Sequence, residues 1–480
     1  MSSIGKKIAK GTFWTAVETW GHQGMVFLVF VVLARLLGPS SVGLAALAMS
    51  APIIFAVPVN RGIPDAIVQR QEIDGLHLDS AFWLLTAAGV VLSGIVWLSA
   101  GLIGAAFEEP ALSELVRFSC IFITLQAIAA VPMAILKREM NFRMVAMRAL
   151  LGTLSGGIVG IALAVAGYGV WSLVWMQVSK ALVEACVLLL FGNWRPGLRF
   201  SYPKCQELYG FAAPIVGFSL WQYVNDELPK ITLGAFLGPA AVGIYSVARR
   251  PLELLTNTLL GPVTGMAMPA VSRLQGDKDK INKFFDGSIR VAMLVGFPAF
   301  IGFAAIAPDI IPLVFGEQWA TSVVAVQILL ILGLIRCIDS ICGGAVLALG
   351  QSRIILALNI LYTVLLSMML LVAARMSVEA TAVALVIANL IVAMPMLYYA
   401  REWAYIDITK PLRILPRLLL ATVSMFFAVT AWRHLVSASG EPVIVASAIA
   451  VGALVYGAAV VLLLRPDLLA ARSMILKARG

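Results

Sequence analysis

Charge is scarce in this chain. Asp, Glu, Lys and Arg together make up 12% of its 480 residues, about half the usual share in a soluble domain. Histidine is scarcer still, at three residues. The five cysteines, Cys120, Cys186, Cys205, Cys337 and Cys342, form no CxxC pair and no Cys/His cluster. That spacing supports neither a disulfide framework nor a metal site. No GxxxxGK[ST] motif occurs, which argues against direct ATP drive, and no cofactor is expected. After MSSIGKKIAKG no small-residue cleavage site precedes the first apolar run, so that run reads as a retained span and not a signal peptide. What fills the space left by charge is apolar: 61% of residues. A soluble fold cannot bury that much apolar surface, and disorder, a coiled coil and a disulfide scaffold are excluded with it. Lipid is the solvent for most of the chain.

A helix needs about 20 apolar residues to cross a bilayer. Fourteen such runs are legible, at roughly 12–36, 42–60, 80–106, 112–136, 149–166, 170–191, 208–235, 240–268, 285–307, 321–347, 354–374, 378–400, 413–433 and 443–464. The fold class predicted is therefore an all-α integral membrane protein of about 14 transmembrane helices. With the N-terminus inside and strict alternation, 25 of the 35 Lys and Arg fall in inside segments. Only Arg35, Arg375 and Arg433 fall outside, and seven lie within spans. That bias supports both termini on the cytoplasmic face. It also explains the net charge of +10 without a nucleic-acid partner. The connections are short, so no soluble domain is expected on either face.

The segment LARLLGPSSVGL, residues 33–44, returns as LGAFLGPAAVGI at 233–244. Leu37, Gly38, Pro39, Val42 and Gly43 match Leu237, Gly238, Pro239, Val242 and Gly243 at a constant offset of 200. Weaker echoes pair Ala66–Arg70 with Ala270–Arg273, and Phe107-Glu108-Glu109 with Phe315-Gly316-Glu317. Six helices separate the copies. Six is even, so the halves are parallel, as in alternating-access transporters with a site between repeats near mid-bilayer. The expected domains are a six-helix lobe at 1–206, its repeat at 207–402, and two added helices with a cytoplasmic tail at 403–480.

The ordered series GTFWTAVETWGHQG, LARLLGPSSVGL, PDAIVQRQEI, PMAILKREMNF, GYGVWSLV, LGPAAVGIYSVARR and MPAVSRL resembles bacterial polysaccharide-export flippases of the Wzx type. These belong to the multidrug/oligosaccharidyl-lipid/polysaccharide exporter superfamily. The resemblance covers roughly residues 1–400 and is looser over the last two helices. It implies an undecaprenyl-pyrophosphate-linked oligosaccharide moved from the cytoplasmic to the periplasmic leaflet of the inner membrane. It also implies two six-helix lobes around a cationic cavity, with two extra C-terminal helices. The expected partners are that glycan lipid, membrane lipid, and a polysaccharide polymerase or export assembly as a further candidate.

Charges inside spans are costly toward lipid and so mark cavities or partners. Arg249 and Arg250 lie near mid-bilayer in span eight. Being adjacent, they point about 100° apart, which predicts that they cannot share one partner. Glu253 is within reach of either. A guanidinium fork suits phosphate, so this pair is the leading headgroup candidate, against a structural Arg–Glu lock. Glu18 and His22 share a face of span one, as a proton-coupling pair or an interhelical bond. Asp226 and Lys230 in span seven are expected to neutralise each other beside Asn225 and Glu227, with a kink at Pro229. Lys180 with Glu184, and Arg336 with Asp339, read as local pairs. Arg61 and Arg290, near cytoplasmic span ends, are further pyrophosphate candidates or simple positive-inside anchors. No GxxxG pattern stands out from the glycine background.

Three rivals remain from sequence, one of them a passive scaffold for an assembly complex, for which mid-bilayer charges are costly unless buried in pairs. A cation-coupled multidrug exporter of the same superfamily would favour cavity carboxylates over arginine. A membrane-embedded polymerase or ligase needs catalytic groups on a sizeable loop, and the longest outside loop is about a dozen residues with no His or paired Asp.

Overall fold

The computed structural model describes residues 20–265, 278–349, 351–403, 406–436 and 441–463. Among these residues there is no strand. Helices follow from the solvent: in lipid each backbone group must be satisfied within its own segment. The elements are α1 (His22–Leu36), α2 (Pro39–Asn60), α3 (Ile63–Gln69), α4 (Gly75–Ala106), α5 (Pro110–Ser119), α6 (Ile121–Arg138), α7 (Phe142–Val165), α8 (Trp171–Phe191), α9 (Tyr202–Leu237) and α10 (Pro239–Leu255). A π-helical turn, Thr256–Leu260, leads to α11 (Gly261–Gly265). Then come α12 (Lys278–Phe315), a 3₁₀ turn, α13 (Val323–Ala348), α14 (Ser352–Met376), α15 (Val378–Trp403), α16 (Thr409–Leu412), α17 (Leu415–Leu435) and α18 (Glu441–Leu463).

Eleven segments among the described residues are long and apolar enough to cross a bilayer. The chain is a multi-pass membrane protein. The other three predicted runs are also helical where described. The first begins at His22 here, and the seventh and eighth are α9 and the α10–α11 stretch, which carry the charges discussed below.

Two compact units divide the chain, Met1–Gly243 and Ile244–Gly480. In the first, α7 and α8 form the closest antiparallel pair. Gly152, Gly156 and Gly160 make a stripe on α7 against α8. A Cβ on Gly156 would sit 2.6 Å from the Met176 carbonyl oxygen, and one on Gly160 would sit 2.9 Å from Met176 Cβ. This is a small-xxx-small interface of the kind that brings membrane helices together, and it corrects the expectation that no GxxxG pattern stands out from the glycine background. Gly157, on the next face of α7, receives Val29 of α1 at 2.6 Å.

The repeated LGPxxVG segments meet in the same unit. A Cβ on Gly43 would lie 1.7 Å from the carbonyl oxygen of Pro239, and one on Gly243 would lie 2.0 Å from that of Pro39. The contact is reciprocal: each copy's proline carbonyl occupies the space of the other copy's glycine. The fainter echo also has a geometric counterpart. Glu108 and Gly316, at matched places after α4 and α12, both adopt left-handed backbone, φ 54° and 104°.

In the second unit Phe300 of α12 fills the space left by Gly333 of α13, whose Cβ would stand 2.4 Å from the ring. The last two helices pack on α12 through Ala305, Ile306, Met425, Val429, Val445 and Ala448. Arg433 of α17 forms a two-pronged ion pair with Asp309 of α12 and donates from Nη1 to the Ala305 carbonyl at 2.8 Å. Tyr456 of α18 donates to the Leu294 carbonyl at 2.7 Å.

Candidate substrate-binding cavity

Within the first unit a cavity of about 230 Å³ opens between α2, α6 and α9. Ile53, Ala56, Val57 and Phe122 give it apolar walls, and Asn60, Arg61, Gln126 and Tyr223 supply polar groups. A mostly apolar hollow with a few convergent polar groups is the usual form of a ligand site.

Local sequence explains why Arg61 stands there. The predicted span ended at Asn60, but the helix resumes at Ile63 after a sharp turn. Gly62 makes that turn at φ 82°, where its missing Cβ would otherwise strike the Ala212 carbonyl of α9 at 2.8 Å. Pro64 and Asp65 restart the helix, and the Asp65 carboxylate accepts from the Gly62 N–H at 3.2 Å. The nearest acidic residue in the sequence is thus occupied in capping. Ile63, Pro64, Ala66 and Ile67 of α3 are buried. Arg61 itself stands exposed at the turn where α2 ends, with α3 continuing beyond it. Its guanidinium meets no carboxylate among the described residues.

The other predicted site residues are held differently. Arg249 and Arg250 both reach Glu253, at 2.9 and 3.3 Å, which overturns the prediction that adjacent arginines cannot share a partner. The long side chains bridge the 100° offset because Glu253 stands at i+4 of one and i+3 of the other. Lys230 pairs with Glu227 at 2.6 Å in place of the expected Asp226, and the other oxygen of Glu227 accepts from Ser50 of α2 at 2.6 Å. Asp226 is exposed, while Asn225 and Glu227 are buried. Pro229 lies inside the continuous helix α9. Glu184 of α8 is bound by Arg148 of α7 at 2.6 Å, where the sequence had offered Lys180. Arg148 and Lys180 both act electrostatically on His22. Arg290 is held by both oxygens of Asp286 at 3.1 Å and donates to the Lys410 carbonyl. Arg336 and Asp339 lie on α13 within electrostatic range of each other. Glu18 lies outside the described residues.

One cluster had no signal beyond the Asp-x-x-His spacing of a helix start. Asp74 caps α4 by accepting from the His77 N–H at 2.8 Å. The buried His77 ring spans two carboxylates, with Nδ1 2.8 Å from Asp74 and Nε2 3.3 Å from Glu207 of α9. Arg70 also pairs with Glu207, and Lys204 lies 3.3 Å from Asp74. The His77 N–H, then its ring and Lys204, hold the Asp74 carboxyl well below the usual range, at about 2. Arg138 donates to the carbonyls of Ile67, Arg70 and Gln71 and fixes the same corner. Together these bonds tie the start of α9 to the α3–α4 turn, next to the wall that carries Arg61.

Several known proteins are similar to this chain. Lipopolysaccharide biosynthesis protein WzxC of Escherichia coli (strain K12) is 27% identical over 76% of this chain and 74% of its own length. Teichuronic acid biosynthesis protein TuaB of Bacillus subtilis (strain 168) is 24% identical over 73% of each. Among solved structures, the lipid II flippase MurJ in an inward closed conformation aligns with a TM-score of 0.80 at 13% identity, covering 94% of this chain and 99% of that one. An inward-facing multidrug resistance MATE family transporter of the MOP superfamily aligns at 0.62 and 16% identity, covering 80% and 94%. These two likenesses show a shared transporter fold. The family model described as polysaccharide biosynthesis protein matches residues 32–324, more than half of the sequence, and the chain belongs to that family.

Proposed function

We propose that this chain is a flippase that moves undecaprenyl-pyrophosphate-linked oligosaccharide from the cytoplasmic to the periplasmic leaflet of the inner membrane by alternating access. It is a carrier and not a catalyst. Both termini are cytoplasmic on the strength of the 25 to 3 distribution of basic residues. The halves at 1–206 and 207–402 form the carrier, and 403–480 is an addition. The glycan then passes to a polysaccharide polymerase or export assembly.

The observation that carries the reading is Arg61. Arg61 lines a cavity whose other polar residues, Asn60, Gln126 and Tyr223, are neutral. Arg249, Arg250, Arg290 and Lys230 each have a carboxylate within ion-pair distance. A cation without such a partner in a membrane-embedded hollow suits a phosphate group, which the guanidinium fork meets with two parallel bonds. The membership in a polysaccharide biosynthesis family and the fold shared with a lipid II flippase support the same substrate class.

The test is glycan export in a deletion strain complemented with wild type, Arg61→Ala, Arg61→Lys or Arg250→Ala, with membrane protein levels matched. Arg61→Ala is expected to lose at least tenfold in surface polysaccharide, about what one charge-assisted contact contributes, with partial retention in Arg61→Lys. Normal export by Arg61→Ala refutes the role given to Arg61. Normal export by the deletion strain itself, without a redundant paralogue, refutes the flippase reading and favours a drug exporter.

A further inference from the structure

A second hollow, of about 630 Å³, runs along α4 where it packs beside α5 and the start of α6. It is a trough open to the lipid side: Trp97 and Ile121 on its walls are 51% and 44% exposed. Its floor is clear at Gly94, where an added Cβ would meet no atom within 4 Å. The end nearer the Phe107–Pro110 turn carries two charges, Glu114 and Arg117, three residues apart on α5. Such a spacing ordinarily closes into an ion pair. Here it stays open. Arg117 lies over the Trp97 ring, 5.5 Å from its centre, with Nη2 3.9 Å from the place a Cβ on Gly101 would take. Among the described residues neither Glu114 nor Arg117 has an ion-pair partner.

The order of these groups along the membrane normal is specific. Arg117 is roughly 10 Å from the start of α5, and Glu114 is one rise of ~4.5 Å closer to the water. A zwitterionic aminophospholipid has the same order, with the ammonium at or outside the phosphate and the acyl chains below. The cation–π contact fixes the guanidinium in position while its N–H edge stays available to oxygen. An anionic glycerol headgroup would set its charge against the Glu114 carboxylate.

We propose that this trough binds one phospholipid of the phosphatidylethanolamine type, with its phosphate on Arg117, its ammonium on Glu114 and an acyl chain lying past Gly94 between Trp97, Phe118 and Ile121. The site needs only that the chain spans a membrane. It is separate from the Arg61 cavity and stands or falls independently of the transported substrate.

Native mass spectrometry of the purified full-length protein, given equal phosphatidylethanolamine and phosphatidylglycerol, tests it. Wild type is expected to retain phosphatidylethanolamine in preference. Glu114→Gln should reduce that preference about tenfold, the size of one charge-assisted hydrogen bond, without loss of phosphatidylglycerol. Arg117→Gln should lose both lipids. Gly94→Phe should also lose both, and it fills open space, so its melting temperature should stay that of wild type. Equal retention of the two lipids by wild type overturns the proposal. So does a preference unchanged in Glu114→Gln, or full retention in a folded Gly94→Phe protein.

Discussion

Replacing Gly43 by alanine adds one methyl group where α2 crosses the start of α10. The added carbon would lie 1.7 Å from the Pro239 carbonyl oxygen, 2.6 Å from its carbon and 2.7 Å from the Gly243 nitrogen. All three are backbone atoms, so no rotamer change can make room. Real Cβ contacts essentially never fall under 3.0 Å, so the two segments must part or rotate. Overpacking of this kind costs about 1–3 kcal/mol, and a cost near 2 kcal/mol changes the folded-to-unfolded ratio about 30-fold. Helix propensity acts in the opposite direction, since alanine gains up to about 1 kcal/mol over glycine inside a helix. Gly94→Ala isolates that gain, because its Cβ meets nothing. The assay is thermal unfolding in detergent of wild type, Gly43→Ala, Gly243→Ala and Gly94→Ala. Gly94→Ala should melt at or above wild type, and the two crossing variants clearly below it. If Gly43→Ala melts together with Gly94→Ala, the crossing is not the rigid backbone contact described.

Two further outcomes are expected. Glu184→Gln leaves the half-buried Arg148 without its counter-charge and should cost about 3 kcal/mol, while Arg148→Met with Glu184→Leu should cost less; detergent melting and membrane yield check this. Asp74 has a folded pKa depressed from 3.8 to about 2, so its contribution to stability is whole above 3.8 and is lost as pH falls through about 2. Amide exchange at the start of α9 from about pH 5 to about pH 2 should show that loss in wild type and not in Asp74→Asn.

Much of this architecture is legible in the sequence because lipid enforces it. Each of the fourteen apolar runs is mostly helical where it is described, and the LGPxxVG repeat marks a real junction twice. Local charge pairs follow from helical spacing alone, so Glu253 with Arg249 or Arg250 was within reach of the sequence. The contacts that cross between helices were not. Arg148–Glu184, Arg433–Asp309 and Ser50–Glu227 join residues 36, 124 and 177 positions apart, and periodicity says nothing about which helix faces which. For the same reason the sequence could not show that the arginine pair and Arg61 differ in their partners. Density of charge was visible. That Asp65 is consumed in capping Gly62, and that Glu253 serves both arginines, was not.

The Arg433–Asp309 pair has a consequence in time. Asp309 enters the membrane with α12, and its counter-charge follows 124 residues later. At roughly 5–20 residues per second, synthesis leaves that carboxylate alone for about 6–25 s. Asp309 lies just past the predicted run 285–307, so during that interval water can serve the carboxylate. A ribosome that stalls before α17 would release a chain with an unanswered acidic group in α12. The outer face of α12 is therefore completed only when the last two helices have been made, because they bring both the partner of Asp309 and the apolar cover over Ala305 and Ile306.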